Sequence, residues 1–166
     1  MIFFAIMFGR GDNMSFADVV RKEFKVSDEE RDKDLVTPSD VVRYDDICYI
    51  EKNDTLNQDD MTKRWHLLDV YRPRDAEDKI LPVIVNVHGG GWVYGDKERY
   101  QFYCMDLARR GFAVVNFTYR LAPKYKFPAP LEDTVLAFRW TLENAKAQGL
   151  DESHIFPRFP LTKSGM

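Results

Sequence analysis

Three consecutive glycines between a histidine and a tryptophan, His88-Gly89-Gly90-Gly91-Trp92, are the residues of this 166-residue chain whose types and spacing could do chemistry. Glycine carries no Cβ, so the backbone can turn sharply there and offer N–H groups to a bound oxygen. Acyl transfer uses such donors, because the attacked carbonyl oxygen becomes an anion in the tetrahedral intermediate. Each preorganised donor is typically worth roughly 3 kcal/mol of transition-state stabilisation. A glycine run can also be a plain tight turn or a phosphate cradle. The phosphate patterns G-x-x-x-x-G-K-[ST] and G-x-G-x-x-G are absent from the chain, which leaves an oxyanion loop or a simple turn.

The elements around the glycines have to place them. Leu81 to Val87 (Leu-Pro-Val-Ile-Val-Asn-Val) is apolar on both faces, the signature of a strand inside a sheet covered on two sides. Residues 97–110 put Tyr100, Tyr103, Cys104, Leu107 and Ala108 at helical spacing, and Gly111 is a natural stop. Phe112 to Thr118 reads as a second buried strand. Pro128-Ala129-Pro130 starts a further helix, with Leu131, Val135, Phe138 and Leu142 as its expected packing stripe and Gly149 as its end. Upstream, residues 15–33 carry Phe16, Val19, Val20 and Phe24 on one side of a helix, and Thr37-Pro38-Ser39-Asp40 breaks it. Val42 to Ile50 and Trp65 to Tyr71 have strand composition, joined by a polar loop from Lys52 to Lys63. His66 is expected to face solvent or a neighbouring side chain. Strands alternating with helices after an opening hairpin predict an α/β fold, with a mostly parallel sheet, an antiparallel first hairpin and helices on both faces.

Composition narrows the partners. The hydrophobic share is 45% and the charged share 31%, as in a soluble globular domain. A net charge of -3 gives no electrostatic reason to expect nucleic acid or an anionic membrane. Cys48 and Cys104 cannot make a disulfide framework, and both are expected to be core thiols. That usage fits a reducing cytoplasm. The apolar run Ile2 to Phe8 is too short to span a bilayer and lacks the flanks of a signal peptide. Initiation at Met14 is expected, with residues 1–14 a leader or a misplaced start. His66, His88 and His154 lack metal-ligand spacing, so no metal site is expected.

A second motif follows the glycines: Tyr119-Arg120-Leu121-Ala122-Pro123, then Phe127-Pro128-Ala129-Pro130-Leu131-Glu132-Asp133. With the HGGGW loop, in this order and context, it resembles the hormone-sensitive-lipase-like carboxylesterase branch of the α/β-hydrolases. The resemblance runs from about Leu68 to Phe156. It implies that Gly90 and Gly91 supply the oxyanion-hole N–H groups, that Gly89 permits the turn, and that His88 braces the loop rather than acting as base. Trp92 would line the substrate pocket or pack beneath the loop. Arg120 and Asp133 would tie the two motifs together. The resemblance implies no cofactor and a small-molecule ester as substrate. Residues 15–43 would form a helical segment of the kind that contributes to a cap over the pocket, and residues 44–156 a partial hydrolase domain.

The family's nucleophile belongs to a G-x-S-x-G turn after the fifth strand, followed later by an acid and a histidine. The fifth strand is expected near His154-Ile155-Phe156. Beyond it the pattern changes to Pro157-Arg158-Phe159-Pro160, and prolines do not suit a central strand. No G-x-S-x-G occurs in the 166 residues; Ser164 has Thr162 two positions before it. Residues 157–166 therefore read as an aberrant tail, expected from a frameshift or a shortened reading frame. Catalytic nucleophile, acid and base are missing from the sequence, so the chain alone is expected to be inactive. Its third strand is expected to lose its neighbour and to expose an aggregation-prone edge. An arylformamidase-like amidase, a polysaccharide-deacetylating or feruloyl esterase-like relative and a non-catalytic α/β binding module are the competing readings.

Overall fold

Alternation of side chains along the strands decides how this chain packs. In β3 (Leu81–Val87) and β4 (Ala113–Phe117) every second residue points to the same face. Val83, Val85 and Val87 join Ala113, Val115 and Phe117 on one side, while Ile84 and Val114 face the other. The computed structural model describes residues 15–50 and 65–159. The expected leader, the polar loop from Lys52 to Lys63 and the tail from Pro160 onward lie outside the described residues.

The elements run α1 (Phe16–Asp32), β1 (Val41–Cys48), β2 (Leu67–Pro73), β3, α2 (Gln101–Arg109, entered through a 3-10 turn at Lys97–Tyr100), β4, α3 (Ala129–Glu143), α4 (Ala145–Gln148) and β5 (Leu150–Arg158). Five strands form one sheet in the order β1-β2-β4-β3-β5. β1 pairs antiparallel with β2, and β2 antiparallel with β4. β3 lies parallel to both β4 and β5. Only β2 opposes the common direction, so the sheet is mostly parallel with an antiparallel opening hairpin. Ala137 of α3 and Ala145 of α4 pack on the Val83–Phe117 face. Cys104, Met105 and Ala108 of α2 pack with Val41, Tyr71 and Val114 on the other. Helices thus cover both faces, as expected. Among the described residues no helix is long and apolar enough to cross a membrane.

Three expectations need correction. Leu131, Val135 and Leu142 do not pack inward; each is more than half exposed. The buried face of α3 is Ala129, Pro130, Asp133, Thr134, Ala137 and Thr141. Small residues let the helix sit close to the sheet, and Asp133 fixes its rotation by bonding to the sheet-end loop. Cys104 is buried, but Cys48 is exposed. Its strand is at the sheet edge and has an irregular register between Tyr44 and Ile47, with Asp46 at φ 54. Finally, β3 keeps its neighbour. β5 continues through Pro157 to Arg158, with Val85 opposite Pro157 and Asn86 opposite Arg158. Pro157 is tolerated because, among the described residues, β5 is an edge strand whose outer side makes no ladder. Among the described residues the edge beyond β3 is therefore that of β5, where the polar stretch Asp151-Glu152-Ser153-His154 follows Leu150.

Candidate active site

The glycine loop leaves the carboxyl end of β3 at His88. That ring is buried and stacks flat on Tyr119, with centroids 4.0 Å apart and planes 8° apart. Its Nδ1 lies 2.8 Å from the Gly89 carbonyl oxygen. A carbonyl only accepts, so Nδ1 carries the proton and Nε2 is the bare nitrogen. No partner reaches Nε2 among the described residues. Burial pushes the His88 pKa down to about 4, against the smaller opposing effect of the Gly89 bond. The ring is neutral near pH 7, which fits bracing and not proton transfer. Tyr119 Oη donates to the His88 carbonyl at 2.7 Å and fixes the loop from the other side.

Two pinned carbonyls orient two amides. In a trans peptide the C=O and the following N–H point in opposite directions. The Gly89 oxygen is held by His88, so the Gly90 N–H points away from the buried ring. The Gly90 oxygen accepts from Val93 N at 3.2 Å and Tyr94 N at 3.1 Å, so the Gly91 N–H points away from that turn. Among the described residues neither Gly90 N nor Gly91 N has a hydrogen-bond acceptor within the loop or beyond it.

The glycines are needed for different reasons. A Cβ on Gly90, at φ 124, would sit 1.9 Å from the Tyr94 carbonyl oxygen. A Cβ on Gly91 would meet nothing within 4 Å, but its φ of 61 is left-handed. Trp92 also holds a left-handed φ of 66 and is half exposed, its ring tilted over Tyr119 at 5.7 Å. Such a backbone conformation costs a bulky residue of order 1–3 kcal/mol and persists only where its surroundings hold it. Here the Ala122 N–H donates to the Trp92 carbonyl at 2.9 Å.

Side chains secure the second motif. Arg120 Nε lies 2.9 Å from both Asp133 carboxylate oxygens, and Nη2 lies 2.7 Å from Oδ1. The Arg120 backbone N–H adds a bond of 2.7 Å to Oδ2. His66 Nε2 completes the cluster at 3.1 Å from Oδ1. Burial alone would raise the Asp133 pKa, but the bonds from His66 and Arg120 outweigh it and hold the carboxyl below its ordinary range. Arg120 and Asp133 therefore join the Tyr119–Pro123 turn to the start of α3 within the second motif, whereas the bond to the glycine loop expected of them is made by Tyr119 and Ala122; His66 faces a neighbour, not solvent. His154 is exposed beside Asp151. Among the described residues no group of His, Cys, Asp and Glu is placed to hold a metal ion.

The structure also brings together residues that sequence reasoning missed. Asp69, wholly buried in β2, is bonded by Lys97 Nζ, Arg43 and the Tyr71 hydroxyl. Asn86 donates to Asn116 across β3 and β4, Asn116 donates to the Lys97 carbonyl, and Arg158 donates to Asn86. A charged residue inside Leu67-Leu68-Asp69-Val70-Tyr71, and an asparagine inside each of two apolar strands, were the available signals. From α1, Arg21 reaches the Val93 and Ala122 carbonyls at 3.1 and 3.0 Å.

Known proteins are similar to this chain in sequence and in fold. The BD-FAE family model matches residues 68–157, over half the chain. Ethyl acetate hydrolase from Pseudomonas putida is 35% identical over 98 residues, which cover 57% of this chain and 31% of that enzyme. Esterase B from Lactobacillus rhamnosis has a TM-score of 0.73 at 26% identity, over 85% of this chain and 42% of that one. The hyperthermophilic esterase from the archaeon Pyrobaculum calidifontis has a TM-score of 0.64 at 31% identity, over 94% of this chain and 45% of that one. The chain spans less than half the length of each. By the family match and the shared sheet, the chain belongs to the BD-FAE family and has the α/β-hydrolase fold.

Proposed function

We propose that this chain supplies the oxyanion-binding part of a carboxylic ester hydrolase, with the amides of Gly90 and Gly91 as donors and Trp92 as a wall of the substrate site. The observation that carries the reading is the pair of free amides, each fixed by a carbonyl of its own peptide, at the carboxyl end of β3. Two such donors stabilise the developing oxyanion most when their geometry is set before the reaction. His88 holds the loop and takes no proton.

The 166 residues contain no Gly-x-Ser-x-Gly. Donors alone polarise a carbonyl but form no acyl-enzyme. The polypeptide by itself is expected to bind a small anion at the loop and to leave esters intact. Amide NMR of the chain titrated with butyrate should move the Gly90 and Gly91 signals most. Hydrolysis of p-nitrophenyl acetate should not exceed the buffer rate. Silent glycine amides would remove the oxyanion reading, and turnover above buffer would remove the inactivity.

A further inference from the structure

Helix α1 reaches the glycine loop through polar and ring contacts. Tyr94 Oη donates to Asp28 at 3.0 Å, and Phe24 stacks on Tyr94 with centroids 6.1 Å apart. The contact that joins separate segments is Arg21. Its Nε donates to the Val93 carbonyl and its Nη2 to the Ala122 carbonyl. The Ala122 N–H in turn donates to the Trp92 carbonyl, and the Val93 N–H to the Gly90 carbonyl. These bonds close a ring through α1, the glycine loop and the Tyr119–Pro123 turn. Trp92, the residue at left-handed φ, lies inside that ring.

We propose that Arg21 is a positioning residue for the glycine loop: its planar guanidinium spans the Val93 and Ala122 carbonyls and keeps Trp92 in its left-handed conformation, so that the Gly90 and Gly91 amides stay aligned. This deepens the oxyanion reading and rests on it for its functional meaning. Two donors at a fixed spacing are what the role needs, and only arginine presents them in one rigid plane. A lysine would reach one carbonyl at a time. The first half of α1 is then part of the site, and not only a cover over it.

The test uses the full chain as wild type, Arg21→Ala, Arg21→Lys and the control Lys22→Ala, a neighbouring exposed position on the same helix. The readouts are residue-resolved amide exchange and the HN–Hα coupling and Cα and Cβ shifts of Trp92, which report its φ. In Arg21→Ala the Val93, Tyr94 and Ala122 amides should exchange about tenfold faster, while β3 and β4 amides stay within about twofold. Trp92 should lose its left-handed signature in Arg21→Ala and keep it in part in Arg21→Lys. General destabilisation would speed the strands as well and would leave the Trp92 shifts of the folded molecules unchanged. If Arg21→Ala does not fold, Arg21→Gln is read in the same way. Unchanged loop exchange and an unchanged Trp92 signature in the alanine or glutamine variant would overturn the proposal. The butyrate titration fails or succeeds separately, because exchange is read on the ligand-free chain.

Discussion

Residues 88–95 and residues 119–133 meet where Trp92 accepts a bond from Ala122, and they are held in different ways. The first segment works through backbone. The groups it leaves free are amides, half of its residues are glycines, and most of these occupy conformations that other residues resist. The second works through side chains, with one buried carboxylate gathering Arg120, the Arg120 backbone and His66. The glycines cannot anchor themselves, so the anchoring falls to His88 and Tyr94 at the two ends of the loop and to Tyr119, Ala122 and Arg21 from neighbouring segments. Pliable glycine backbone is held in place by a rigid polar frame next to it.

The frame should break hardest. Asp133→Ala leaves Arg120 and His66 buried without their shared acceptor, and removal of one partner from such a cluster typically costs about 3–5 kcal/mol. Urea unfolding should show that loss, whereas a cost below about 1 kcal/mol would mean the cluster behaves like a surface ion pair.

The next effect is a pH dependence that belongs to the loop. In the unfolded chain His88 takes a proton as pH falls below 6.5, but the buried ring resists until about pH 4. The unfolded state binds more protons in that window, so stability falls as pH drops through it, by roughly 3 kcal/mol from this one ring. Asp133 does not offset this loss: its lowered pKa places its own destabilisation at still lower pH. His88→Phe keeps a ring on Tyr119 and should flatten the slope between pH 7 and 4.5. Equal slopes in variant and wild type would assign the dependence to other groups.

Within the loop, Gly90→Ala and Gly91→Ala separate two kinds of constraint. The first puts a methyl group against the Tyr94 carbonyl, and overpacking of this sort typically costs about 1–3 kcal/mol. The second meets open space and bears only the left-handed backbone cost, about 1 kcal/mol. The order of the two denaturation midpoints tests the loop geometry, and a reversed order would contradict it.

Much of this was legible in the sequence because the signals were local. The apolar run Leu81–Val87, the glycines after it and the Tyr119–Asp133 motif fixed the strand, the turn and their partnership before any coordinates. Misreadings came where tertiary context outweighed pattern. Leu131, Val135 and Leu142 share a helical face, but a face of small residues around Asp133 fits closer to the sheet. Cys48 lies in an apolar stretch, yet an irregular edge strand turns it outward. Pro157 looked incompatible with a strand because its edge position is a property of sheet order. Arg21 was unreadable, since nothing in residues 15–33 announces bonds to carbonyls about 70 and 100 positions away.

The central claim is that the Gly90 and Gly91 amides face outward together, ready for one oxygen. A crystal structure of the chain with a bound alkylphosphonate tests it most directly. The account predicts one phosphonate oxygen about 2.7–3.1 Å from both nitrogens, with the Gly89 carbonyl still on His88. Amides turned inward onto protein acceptors, with the anion held elsewhere, would contradict it.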